Sequence, residues 1–236
     1  MNLAKSRYLE AILFVFVLAS AILLFSGDFN EAFARAGGGR SSGSGNSIIG
    51  IILAPFFVIY SVILARNVAK KAAQTKQAID KFSSKDPVWN TNNLIDVVNK
   101  TYFAVQNAWM MCDQSICREF VTDRLFNLHK MQTDKMIANN RKNILENVSL
   151  DSVEILQAVD YRDDSKDYFR AYIKGSMKDY EINTHLNILT DGDKEIRSFT
   201  ELWLFKRNGE NWLLDEIDSS ITIADIKRLE SFESRE

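Results

Sequence analysis

The side chains able to move protons in this sequence are few and scattered. There are two histidines, His129 in Asn127-Leu128-His129-Lys130 and His185 in Thr184-His185-Leu186, and imidazole is the side chain whose ordinary pKa lies nearest neutrality. Asp113, Tyr180 and Glu201 complete the candidates for acid–base chemistry. Glu201 lies between aromatic residues in a strand-like run. Facing inward, it would have its pKa raised by desolvation; facing solvent, it would be an ordinary polar strand residue. None of the five sits in a local catalytic motif. Asp113 follows an apolar helical run and suits an N-cap of the next helix, the role we expect for it. His129 is expected on a polar helix face and His185 toward solvent, so no catalytic residue is assigned.

Cys112 and Cys117 are five apart, which neither places them on one helix face nor matches a metal-ligand spacing. They read as buried small hydrophobes. Two cysteines and two histidines are too few for a disulfide scaffold or a structural zinc site. The glycine-rich stretch RAGGGRSSGSGNS is followed by no Lys-Ser/Thr pair and runs into an apolar segment, so it is no phosphate-cradling loop. No cofactor and no metal are expected. Trp109, Tyr180, Glu201, Trp203, Phe205 and Trp212 form a candidate pocket for a lipid tail or peptide segment; the competing expectation is that such aromatics fill the core.

The elements that must position these residues follow from composition and period. The chain has 236 residues and a formal charge of -2. That balance is divided: residues 1–82 carry +5 and the rest -7. An acidic globular part lacks the basic face that a nucleic-acid binder needs. A hydrophobic fraction of 46% excludes a disordered chain.

Ala11 to Phe25 is an uninterrupted apolar run after Lys5 and Arg7. It reads as a signal-peptide core, with small-x-small patterns at Ala32-Phe33-Ala34 and Ala34-Arg35-Ala36, or as a first transmembrane helix within residues 1–36. Residues 37–47 read as a Gly/Ser linker. Ile48 to Ala65 has no charge and is long enough to span a bilayer. Arg66, Lys70, Lys71 and Lys76 follow it, so the positive-inside bias puts residues 66 onward in the cytoplasm, and these side chains are also candidates for contact with anionic head groups.

Residues 66–82 carry Val68, Ala72, Thr75, Ile79 and Phe82 at helical spacing and read as a basic stalk, ended at Pro87. From Trp89 to Asn140 the period stays helical, with Leu94, Val98, Val105 and Trp109 on one face, then Leu125, Leu128 and Met131 after a polar break at Asp113-Gln114-Ser115. From Val148 the period is two, in runs around Val153–Leu156, Phe169–Ile173 and Phe199–Phe205, and Asn208-Gly209 signals a hairpin into Trp212-Leu213-Leu214. Helices followed by an antiparallel meander predict an α+β domain, closed by a short helix from Ile223 to Phe232.

The ordered set Asp86-Pro87-x-Trp89, Phe103-x-Val105-Gln106-x-Ala108-Trp109-x-x-x-Asp113, Asn143-x-Leu145-Glu146-Asn147-Val148, Lys178-Asp179-Tyr180, Phe199-Thr200-Glu201-x-Trp203-x-Phe205-x-Arg207 and Trp212-x-Leu214-x-Glu216-Ile217 resembles the Tim-forty-four-like domain family over residues 83–220. The family includes the tether of the mitochondrial import motor, a membrane-facing protein of the mitochondrial large ribosomal subunit, and bacterial membrane proteins. Its bacterial members share the hydrophobic segment, Gly-Gly-Gly-Arg-Ser linker and second hydrophobic segment upstream. The resemblance implies a fold like nuclear transport factor two, a cone of helices around a curved sheet. It further implies a non-enzymatic adaptor that holds a protein partner, alone or within a larger complex or homo-oligomer, at the bacterial inner membrane. Relatives of that broad fold include isomerases and dehydratases, which is why Asp113, His129, His185, Tyr180 and Glu201 are weighed at all. The alternatives are a lipid- or small-ligand-binding module and a secretion-system core subunit.

Overall fold

The computed structural model describes residues 47–233. The first hydrophobic run, its two cleavage patterns and nearly all of the Gly/Ser linker lie outside the described residues. Helix α1, Ser47–Ser83, runs for 37 residues from the second apolar run through the basic segment. The side chains of residue 47 and, within the expected span, of residues 48–55 and 57 also fall outside the described set. Among the described residues no helix is long and apolar enough to cross a membrane.

The predicted stripe on residues 66–82 is present, but it is not a free-standing stalk. Val68, Thr75, Ile79 and Phe82 are buried, because a stripe of that width must find a covering surface, and here the sheet supplies it. Asp86 then caps a short 3-10 turn, Pro87–Trp89, accepting from the Val88 amide at 3.0 Å. Asn90 caps α2, Thr91–Met111, whose Leu94, Val98, Tyr102 and Val105 face the core.

Helix α2 ends at Cys112, in the left-handed region with φ 51°. Cys112 is therefore a half-exposed helix cap rather than a buried hydrophobe, whereas Cys117 is fully buried as expected. Asp113 caps the following 3-10 helix, Gln114–Phe120, its carboxylate accepting from the Ser115 amide at 3.0 Å. Thr122 caps α3, Asp123–Ala138. Helix α3 buries Leu125, His129 and Thr133 and leaves Leu128 and Met131 exposed. A three-residue repeat drifts by about 60° per step on a 3.6-residue helix, so Leu125, Leu128 and Met131 cannot share the buried face.

The sheet has the order β4-β3-β2-β1-β5. It is built from β1, Arg141–Asp160; β2, Tyr168–Asn183; β3, Ile188–Asn208; β4, Asn211–Asp218; and β5, Phe232–Glu233. All neighbours are antiparallel except β5, which runs parallel to β1. Bulges interrupt β1 between Glu146 and Ser149, Leu150 and Ser152, and Ile155 and Gln157, and each bends the strand and adds twist. The result is an α+β fold with helices on a curled sheet. Its main core, with Trp89, Leu94, Tyr102, Phe169, Ile173 and Trp203, lies on the face covered by α2 and α3. A smaller cluster joins Leu156, Tyr172 and Leu202, on the opposite face, to Val68, Ile226 and Leu229. The closing helix α4 is shorter than expected, Ile223–Arg228, and is held by a capping box of Thr222 and Asp225.

Candidate functional site

The aromatic residues singled out in the sequence divide between the core and the surface. Trp203 and Phe205 are fully buried and Trp212 nearly so. Phe169 stacks on Phe205 with ring centroids 4.7 Å apart and meets Trp212 edge-on at 5.0 Å. Trp212 meets Trp89 at 4.7 Å, and Phe82 completes the chain of rings at 5.3 Å from Trp89. Tyr102 on α2 approaches Trp203 at 5.9 Å. These contacts fill the space between helices and sheet, so Trp203, Phe205 and Trp212 act as core. Alternation along β3 brings Trp203 and Phe205 to one face.

Glu201 shares that face, two residues before Trp203, paired across the sheet with the buried Ile173. Its Oε2 accepts the Trp203 indole N–H at 2.8 Å. Burial pushes its carboxyl above the ordinary value, opposed by that bond and reinforced by the charge of Asp179. Tyr180 stands apart: its hydroxyl donates to Glu146 Oε1 at 3.0 Å, and Lys194 lies over its ring at 5.3 Å. Trp109 is half-buried and packs on His129 at 5.1 Å. The candidate pocket is thus three environments, not one constellation.

His129 is the clearest departure from expectation. It is 6% exposed, with its Nδ1 buried and unbonded, and burial lowers its pKa to about 4. The imidazole is neutral at pH 7 and acts as an aromatic neighbour of Trp109. His185 lies exposed in the β2–β3 turn. Asp113 serves as a cap, its carboxylate accepting from both the amide and the hydroxyl of Ser115. Among the described residues no group of three His, Cys, Asp or Glu side chains could hold a metal ion.

One buried charged centre was not singled out from the sequence. Arg207, on β3, places Nη1 at 2.9 Å from Asp167 Oδ2 and at 2.5 Å from Asp86 Oδ2, with Nη2 3.3 Å from Asp164. Asp167 is fully buried, and its other oxygen accepts from the Tyr161 amide at 2.7 Å. Burial lifts its pKa to about 6 despite those bonds. One guanidinium therefore ties the end of α1 to the β1–β2 turn and to β3. The signal was present only in part: Asp86 and Arg207 belong to the ordered motif, but Asp164 and Asp167 sit in an acidic turn without periodicity. A second charged joint holds α3 to β4. Asp215 accepts from Thr122 Oγ1 at 2.7 Å, Lys206 Nζ at 2.9 Å and Arg124 Nε at 3.2 Å. Against the burial that pushes it up, these bonds hold Asp215 down at about 2.

Of the basic residues expected to set topology, Arg66, Lys70 and Lys76 are exposed, whereas Lys71 donates from Nζ to the Leu229 carbonyl.

The profile of the Tim44-like domain matches residues 75–219, more than half of the chain. The chain belongs to the Tim44-like domain family. Most of the family's region runs from the buried end of α1 to the end of β4, so the Asp86–Arg207 joint and the ring cluster lie inside the Tim44-like domain. None of the curated proteins compared matches the chain. Among solved structures, the chain is similar to the intermembrane space region of chloroplast protein ARC6. The two share 10% identity, with 55% of this chain and 95% of that one covered and a TM-score of 0.41.

Proposed function

We propose that this Tim44-like protein is a membrane-anchored, non-enzymatic adaptor that holds a protein partner at the cytoplasmic face of a bacterial inner membrane. The observation that carries the reading is the division of α1. Its second half is locked into the domain by Val68, Thr75, Ile79 and Phe82. Its first half exposes Val58, Ile59, Val62 and Ile63, each more than 40% accessible, within a sequence run that has no charge from Ile48 to Ala65. Such a surface needs an apolar partner, and a bilayer fits its length and uniformity. A domain fixed to a spanning helix has its faces held at a set height above the membrane. Contacts of Arg66, Lys70 and Lys76 with anionic head groups would reinforce that placement, and a protein partner would dock on the exposed domain.

The experiment is alkaline extraction and protease accessibility of the full chain in bacterial inner-membrane vesicles. The reading expects wild-type protein to stay in the membrane pellet, with the domain digested only when its cytoplasmic face is open to protease. It expects Ile59→Lys combined with Val62→Lys to release the chain, since each central lysine costs about 2.5–3.5 kcal/mol on insertion scales. Wild-type protein extracted at alkaline pH would refute the anchor.

A further inference from the structure

The C-terminal segment 221–233 lies beyond the region matched to the family, which ends at residue 219, yet it makes a dense set of specific contacts. Most of its polar contacts fall on α1 and β1. Toward α1, Ser231 Oγ stands 3.0 Å from the hydroxyl of the fully buried Thr75, and the Leu229 carbonyl accepts from Lys71 Nζ. Beyond the helix end, Glu233 pairs with Lys85 at 2.6 Å. Toward β1, the same Ser231 Oγ accepts from the Ala158 amide at 3.1 Å, the Glu230 carbonyl accepts from Gln157 Nε2 at 2.8 Å, and Phe232 and Glu233 pair with Val159 and Asp160. Ile226 and Leu229 join Val68 of α1 and Leu156, Tyr172 and Leu202 of the sheet in the smaller apolar cluster.

Helix α1 thus has two attachments. Ile79 and Phe82 are buried in the main core with Trp89. Four to eleven residues upstream of Ile79, Val68, Lys71 and Thr75 meet the C-terminal segment as well as the sheet. A helix held at one end turns about that point; a second hold a few turns away fixes its direction. We infer that residues 221–233 are a clasp that sets the angle at which α1 leaves the domain, and that the partner of this segment is the chain's own helix. Ser231 is the central residue of the clasp, since its single hydroxyl bridges helix and strand. The inference concerns how α1 is held, and it stands whether or not a membrane covers the helix's first half.

The test is hydrogen exchange on the full chain in detergent, comparing wild type with a chain ending at Asp218 and with Ile226→Asp. Loss of the clasp should raise exchange of amides 64–75 by about tenfold or more, with amides 94–108 and 169–177 unchanged, as for a local opening. Unchanged exchange at 64–75 would show that the sheet alone holds the helix. A uniform rise, or failure to fold, would make the segment part of the general core; either result overturns the clasp. A second variant works in the intact fold: Thr75→Cys with Ser231→Cys, in a Cys112→Ser background. Mild oxidation should cross-link the pair and slow exchange at 64–75 relative to the reduced form. A pair that does not cross-link, or cross-links without slowing that stretch, contradicts the inference.

Discussion

Arg207 donates to Asp167 at 2.9 Å with both side chains almost wholly withdrawn from water, 7% and 0% exposed. The same guanidinium reaches Asp86, 121 residues earlier in the chain, so one residue joins the end of α1 to the first strand connection and to β3. Removing one partner of a buried pair strands the other charge, at a cost of about 3–5 kcal/mol. Arg207→Met is therefore expected to lower unfolding free energy by that amount in chemical denaturation. A loss below about 1 kcal/mol would place the joint among the weak surface pairs.

Trp203→Ala removes a fully buried indole from the ring cluster and should cost about 3–5 kcal/mol. Glu201→Gln keeps an oxygen for the Trp203 N–H and removes a charge that burial disfavours. It should change stability by less than about 1 kcal/mol. Equal losses for the two, in the same denaturation series, would mean that Glu201 does more than receive that hydrogen bond.

Gly175 sits where three chain segments converge. A Cβ there would come within 2.7 Å of Phe199 Cζ and 2.9 Å of both the Ser149 carbonyl and the Tyr102 hydroxyl. Gly175→Ala should destabilise by about 1–3 kcal/mol through overpacking. Gly209 has nothing within 4 Å but a φ of +64°, so Gly209→Ala tests backbone strain alone and should cost about 1 kcal/mol. Thermal or chemical melts of the two variants, with Gly175→Ala the more damaging, check the assignment.

The buried His129 and Asp167 respond to pH with opposite signs. The His129 pKa is depressed from 6.5 to about 4, so its contribution is fully present above about 6.5 and is lost as pH falls toward 4. The Asp167 pKa is raised from 3.8 to about 6, so its contribution is fully present below about 3.8 and is lost as pH rises through 6. The expected outcome is that His129→Gln flattens the loss of stability on acidification from pH 6.5 to 4, whereas Asp167→Asn steepens it. The same slope in all three proteins, measured by denaturation across that window, would contradict both placements.

How much of this was legible in the sequence depends on where periodicity survives. The stripe from Val68 to Phe82 and the face from Leu94 to Val105 could be read because apolar residues recur at helical spacing, and β3 could be read near Trp203, where large apolar residues and β-propensity coincide. The outer reach of β3, Ile188 to Ser198, was missed because Asp191, Asp193, Lys194 and Glu195 interrupt the pattern on a hairpin end exposed to water. His129 was misplaced because its polar neighbours Asn127 and Lys130 suggested a solvated face, while packing against Trp109 decided the outcome. Glu201 was left open between two faces, and only the register with Ile173 settles it. Ser231 carried no signal at all, since its partners Thr75 and Ala158 are far away in the sequence.

Photo-crosslinking in intact membranes asks whether the Tim44-like domain holds a protein partner at a membrane. Probes would sit at Leu186 and Met131, 67% and 61% exposed, with cross-linked proteins and lipids both identified by mass spectrometry. An adaptor should yield a defined protein partner from the full chain at the membrane, lost when residues 1–65 are removed. Phospholipid alone, with no enriched protein from either position, would contradict it.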